Sequence, residues 1–102
     1  MKITINPGVC GLVSKVDAVS EDMQNVTLKL ESDCAKLQKL VDLLGSVDAY
    51  QEIGERFQGP IYTSAQEAGC CAGCSAVSGI SKIVQQTAGL ALPGDVCITF
   101  EE

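Results

Sequence analysis

The chain of 102 residues carries six cysteines and no histidine, so soft-metal ligation and nucleophilic chemistry fall to sulfur. Without an imidazole there is no side-chain base near neutral pH, no histidine ligand and no Ser/His or Cys/His pair. Most hydrolase chemistry is thereby excluded. Cys71 and Cys74 form a C-x-x-C that the pattern places at a helix start, where positions i and i+3 let both sulfurs point one way, as chelation or a two-thiol redox pair requires. Cys70 precedes them and diverges from Cys71 by roughly 100° on a helix, so it reads as a spare or substitute ligand. Cys34 is expected in the first turn of a helix, where unpaired amides and the macrodipole stabilise a thiolate. It also lies on that helix's apolar stripe, so core packing is the competing reading. Cys10 sits in "PGVCG", whose glycines leave room for backbone to wrap a sulfur-bound atom; the competing reading is a small cysteine packed in a turn. Cys97 alternates with Val96 and Ile98 and is assigned to packing or plain exposure.

Three kinds of sulfur chemistry can be weighed against one another. A thioredoxin-like pair needs a strand delivering the C-x-x-C, whereas "SAQEAG" before Cys70 has helical character. Zinc knuckles contribute cysteines in pairs, whereas Cys10 and Cys34 come singly from distant turns. An iron–sulfur cluster or a thiophilic metal ion held by Cys10, Cys34, Cys71 and Cys74 fits the spacing best, with zinc as the alternative metal. Whether Cys70 or Cys74 serves as fourth ligand is left open by the spacing. The paired carboxylates Glu21/Asp22, Glu52/Glu55 and Glu101/Glu102 read as solvated charge. "PGVCG" opens no helix and so makes no phosphate loop.

The elements that must position these sulfurs follow from hydrophobic period. Lys2 to Asn6 alternate as a strand ended by "NPG", Leu12 to Val19 form a second strand with a bulge expected near Gly11, and Val26, Leu28 and Leu30 alternate in a third. From Ser32 the period becomes helical. Cys34, Leu37, Leu40, Val41 and Leu44 make one stripe, capped by Ser32 or Asp33 and stopped at Gly45. Ser46 is expected to cap a second helix with Val47, Tyr50, Ile53 and Phe57 on one face. A short helix over Pro60–Ala68 stops at Gly69, and a longer one carries Cys74, Val77, Ile80, Val84 and Ala88 to a stop at Gly89. Val96, Ile98 and Phe100 predict a last strand. The expected fold is α+β, an antiparallel sheet of three or four strands with helices packed on one face.

Composition bounds the rest. One domain of this length buries roughly 65% of its unfolded surface, and 46% hydrophobic with 20% charged residues is a globular composition. A formal charge of −6 without a basic patch argues against nucleic acid and anionic membranes as partners. No run approaches the roughly 18 apolar residues of a membrane span, and "MKITINPG" alternates unlike a signal peptide. A cytoplasmic location is expected, where thiols stay reduced and cysteines act as ligands, nucleophiles or packing.

Through "NPGVCG", "LESDC", "CAGCSA" and "GLALPGDV" the chain resembles, almost end to end, a small uncharacterised family of cysteine-containing proteins, mostly from anaerobic bacteria and archaea. Cys10, Cys34, Cys71 and the "GLALP" turn carry the match. In architecture it also resembles U-type iron–sulfur scaffold proteins, which set one cysteine in a "CG" turn, one where a strand enters a helix and one at a later helix start. Cys10, Cys34 and Cys71 follow that order, while Leu12 stands where the scaffolds have aspartate and Cys70 where they have histidine. That resemblance implies assembly and transfer of a cluster. The expectation is therefore non-enzymatic binding or carriage of a metal ion or iron–sulfur cluster, with a protein donor or acceptor as partner and a homo-oligomer allowed. Thiol redox or sulfur transfer through Cys71 and Cys74, and a structural or subunit-interaction domain with packing cysteines, are the alternatives.

Overall fold

In the computed structural model, which describes residues 1–8 and 10–101, the period-two segments pair into one antiparallel sheet. Strands β1 (Lys2–Ile5), β2 (Ser14–Val19), β3 (Asn25–Glu31) and β4 (Ser46–Asp48) lie in the order β1-β2-β3-β4. Alternation fixes the register, because a slip of one residue would turn every apolar side chain to the wrong face. Ile3 thus pairs with Val16, Val16 with Leu30, and Val26 with Val47. Val16, Ala18, Val26 and Leu28 are buried beneath the helices, whereas Lys2, Lys15, Lys29 and Glu31 line the open face.

Helices α1 (Ala35–Leu44), α2 (Ala49–Glu55), α3 (Pro60–Ala68) and α4 (Ser75–Thr87) follow, with a single 3-10 turn, Arg56–Gln58, between α2 and α3. Leu37 and Leu40 of α1, Ile61 and Ala65 of α3, and Ile80, Ile83 and Val84 of α4 join the buried sheet residues in one core. The fold is α+β, with the helices covering one face of a four-stranded antiparallel sheet. Among the described residues no helix is long and apolar enough to cross a membrane.

Several elements differ from the sequence expectation. Ser46 begins β4 rather than capping a helix, because Val47 finds a buried seat opposite Val26. The cap of α2 is Asp48, whose Oδ1 accepts the backbone N–H groups of Tyr50 at 3.0 Å and Gln51 at 3.2 Å. Helix α1 starts one turn's fraction later than Ser32 or Asp33 would allow, with Cys34 as its N-cap residue. The second strand starts at Ser14, and Gly11 stands at φ 68° in the preceding turn instead of in a bulge. The last strand does not form: Val96, Ile98 and Phe100 are 59%, 69% and 94% exposed outside any strand. Alternation supplies a strand-compatible pattern, but a strand also needs a neighbour to take its hydrogen bonds. Glu102, and Val9 within the "PGVCG" motif, lie outside the described residues.

Two predictions follow from this packing. Leu40 is fully buried, so Leu40→Ala should cost about 2–5 kcal/mol in urea unfolding; a loss under about 1 kcal/mol would place Leu40 outside the core. Asp22 closes the β2–β3 turn by accepting the Asn25 backbone N–H at 2.8 Å, the Asn25 side-chain amide at 3.0 Å and the Gln24 backbone N–H at 3.0 Å. These bonds, the Asn25 backbone first, hold its carboxyl at about 2. A depressed folded value means the stabilisation is complete above the unfolded aspartate value and is lost as pH falls through the folded one. Acid titration of stability should therefore show a smaller drop between about pH 4 and 2 in Asp22→Ala than in the unsubstituted protein.

Candidate functional site

One end of the sheet collects the chain segments that carry sulfur. There β1 runs out into the turn bearing Cys10, β2 begins at Ser14, and β3 ends three residues before Cys34. The buried Ser14 hydroxyl donates to Ser32 Oγ at 2.8 Å, and Ser32 Oγ accepts the Cys34 backbone N–H at 3.1 Å. This short chain of hydrogen bonds ties the strand end to the helix start. Cys34 is thereby held at the N-cap of α1 with φ −78° and ψ 109°, and its side chain makes no capping hydrogen bond.

The C-x-x-C arrives from the other side. Helix α3 ends at Gly69, whose φ of 77° closes the helix with Gly69 N–H to Gln66 O at 3.1 Å and Cys70 N–H to Ala65 O at 3.0 Å. That glycine-ended cap fixes Cys70 over α1, where its Sγ lies 3.9 Å from the Lys36 carbonyl oxygen. Cys71 and Cys74 do not share a helical face as their spacing suggested. They close a turn instead, Cys74 N–H donating to Cys71 O at 3.0 Å, and α4 begins only at Ser75. Cys74 is the N-cap of α4, again without a side-chain capping bond. Gly79 lets α4 approach the sheet, since a Cβ there would stand 2.7 Å from Ile5 Cδ1. The first turns of α4 therefore sit over the end of β1 from which the Cys10 turn departs.

Cys34, Cys70 and Cys74 are half-buried; Cys10, Cys71 and Cys97 are exposed, and every cysteine is a free thiol. Burial pushes the Cys70 thiol up, and the neighbouring sulfurs of Cys74, Cys34 and Cys71 push it further, against a weaker opposing effect of Lys36. Cys70, read as a spare or substitute ligand, is thus within electrostatic reach of Cys34 as well as of its sequence neighbours Cys71 and Cys74. The sequence signal for this was the Gly69 stop, which fixes the residue following it. Cys10 is placed at the same end of the sheet but in its own turn, Gly11 N–H to Gly8 O at 3.0 Å. Cys97 belongs to the exposed C-terminal segment and takes no part. Among the described residues no three His, Cys, Asp or Glu side chains stand ready to hold one metal ion.

A family model described as a family of unknown function, DUF6951, matches residues 1–100. The chain belongs to DUF6951. No curated protein and no solved structure matches it. For this DUF6951 protein the sulfur grouping has to be judged on its own geometry, and that geometry offers donors of one chemical kind on two helix N-termini and a turn. Cys34 and Cys74 stand at helix N-caps and are half-buried, while exposure makes Cys71 the accessible member.

Accessibility and thiolate character set alkylation rates. With limiting iodoacetamide at mildly alkaline pH, peptide mapping should find Cys71 modified well before Cys70. Equal rates at the two adjacent positions would contradict the burial and the raised thiol described for Cys70.

Proposed function

We propose that this protein binds, without catalysing a reaction, a thiophilic metal ion or an iron–sulfur cluster at its sulfur end and exchanges it with a protein partner. The observation that carries this reading is the approach of the Cys70–Cys74 segment to the start of α1, where Cys70 Sγ lies 3.9 Å from the Lys36 carbonyl oxygen and Cys34, distant in sequence, joins Cys71 and Cys74 in opposing ionisation of the Cys70 thiol. Deprotonating several neighbouring thiols without a cation is unfavourable, and a soft metal centre removes that repulsion while replacing the protons. The donor set fits such a centre in kind, being all sulfur and without histidine. It is not preassembled in distance, so side-chain rotation at Cys71 and within the Cys71–Cys74 turn has to complete it. Cys10, on a turn at the same end of the sheet whose Gly8 and Gly11 adopt φ of 89° and 68°, is the candidate for a further donor. Bound metal would stabilise the fold by joining α1 to the start of α4.

A second reading draws on the Cys71–Cys74 turn itself. Cys71 is exposed and Cys74 is a helix N-cap, the arrangement in which one thiol attacks and the other resolves. In this reading a partner dithiol or disulfide exchanges with the pair, and the protein is isolated free of metal.

Titration of the reduced protein with Cd(II) under anaerobic conditions separates the readings. Metal carriage predicts stoichiometric growth of thiolate-to-metal absorption, a rise in thermal midpoint that a chelator reverses, and loss of both in Cys34→Ser and Cys71→Ser. No saturable absorption up to excess metal, or equal binding by the serine variants, would sink it. A reversible Cys71–Cys74 disulfide in metal-free protein would favour the redox reading.

A further inference from the structure

Helix α2 is turned against its own periodicity. Val47, Tyr50, Ile53 and Phe57 are placed on one face by their spacing, yet Val47 lies in β4, the other three are 57%, 42% and 74% exposed, and the residues α2 buries are Ala49 and Glu52. Glu52, read from the sequence as solvated charge, is 2% exposed. Its Oε2 accepts the Ile61 backbone N–H at 3.0 Å and so closes the start of α3, where Pro60 has no N–H to offer. Gly59 leaves room beside it: a Cβ there would lie 2.7 Å from Oε2, so the carboxylate would have to shift. The other carboxylate oxygen, Oε1, is buried and has no hydrogen-bond partner.

That carboxylate forms part of a cleft of about 370 Å³ lined by Glu52, Ile53, Arg56, Phe57, Tyr62 and Ser81, with Gln85 at its side. The volume lies in the range of small-molecule sites. Phe57 and Tyr62 meet edge to face across it, ring centres 5.4 Å apart and planes at 72°. Arg56 carries the strain: its φ of 56° places a non-glycine residue in the left-handed region, in the turn that brings Arg56 and Phe57 to the cleft. Capping α3 explains one oxygen of Glu52. It does not explain the second, the strained arginine or the exposed phenylalanine.

We propose that this cleft binds a small monoamine with a flat apolar body, the ammonium group satisfying Glu52 Oε1 and the body packing on Ile53, Phe57 and Tyr62. A cationic donor suits a buried acceptor better than a neutral one, since charge-assisted bonds offset more of the desolvation. Burial also holds the Glu52 carboxyl above the ordinary glutamate range, a penalty that a bound cation relieves. The formal charge of −6 draws cations toward the molecule.

The test is an amide NMR titration of the reduced, full-length protein with phenethylamine, and with phenylacetate as a body of the same shape but opposite charge. Saturable shifts centred on Ile61 and Phe57 with a Kd on the order of millimolar or tighter are expected for the amine and not for the acid. Glu52→Gln keeps an oxygen for the Ile61 N–H and puts an NH2 group where Oε1 was; it should weaken amine binding at least about tenfold. Phe57→Ala, at an exposed position where folding is not at stake, should weaken it as well without moving the thermal midpoint. Absence of saturable shifts, equal binding of phenylacetate, or unchanged binding in either variant would overturn the proposal.

Discussion

A helix can lie close on a sheet only where its facing residues are small, and α4 meets β1 through Gly79, in the space where a Cβ would strike Ile5. That contact is one of those that seat α4 on the sheet. Its buried residues Val77, Ile80, Ile83 and Val84 then fill the volume above Val16 and Ala18, and its N-terminus projects over the end of β1. The turn Cys71–Cys74 has no freedom to be elsewhere, since Gly69 closes α3 on one side and Ser75 opens α4 on the other. Seating α4 thus carries the sulfur-bearing turn to the same end of the sheet as Cys34 and the Cys10 turn.

Electrostatics at that end are of two opposing kinds. Burial first, and then the sulfurs of Cys74, Cys34 and Cys71, disfavour charge on Cys70, whereas Lys36 acts weakly the other way. Cys70 therefore holds its proton more tightly than an ordinary thiol does. In the metal-binding reading proposed above, a soft cation would take the place of that proton.

The sheet and three of the helices were legible because periodicity reports burial directly: Ile3, Val16 and Leu28 alternate, and Leu37 and Leu40 recur with the helical turn. Misreadings arose where a neighbour outweighed the local pattern. Val47 was claimed by Val26, so residues that could have begun a helix became β4. Tyr50, Ile53 and Phe57 repeat at helical spacing, yet Asp48 as the cap and the Ile61 N–H as a partner for Glu52 rotated α2 the other way. Val96–Phe100 kept its alternation and found no strand to pair with. At the sulfur end, Cys34 could be placed at the start of its helix from the apolar stripe it opens, although it proves to be the N-cap and not part of the first turn. Cys70 could not, because its surroundings come from α1, and helix-to-helix packing leaves no mark on the spacing of cysteines.

The order of the strands has a consequence for assembly. Neighbours in the sheet are neighbours in sequence for β1, β2 and β3, so their pairing closes only short loops and gives up little chain entropy. The contact of Cys70 with Lys36 spans 34 positions. Bringing the two ends of that long loop together is costlier, and it gains its compensation only once α3 and α4 have docked on a sheet that already exists. A nascent chain could therefore own a complete β-meander while its thiols are still dispersed, and the proximity of those thiols would report that docking is finished.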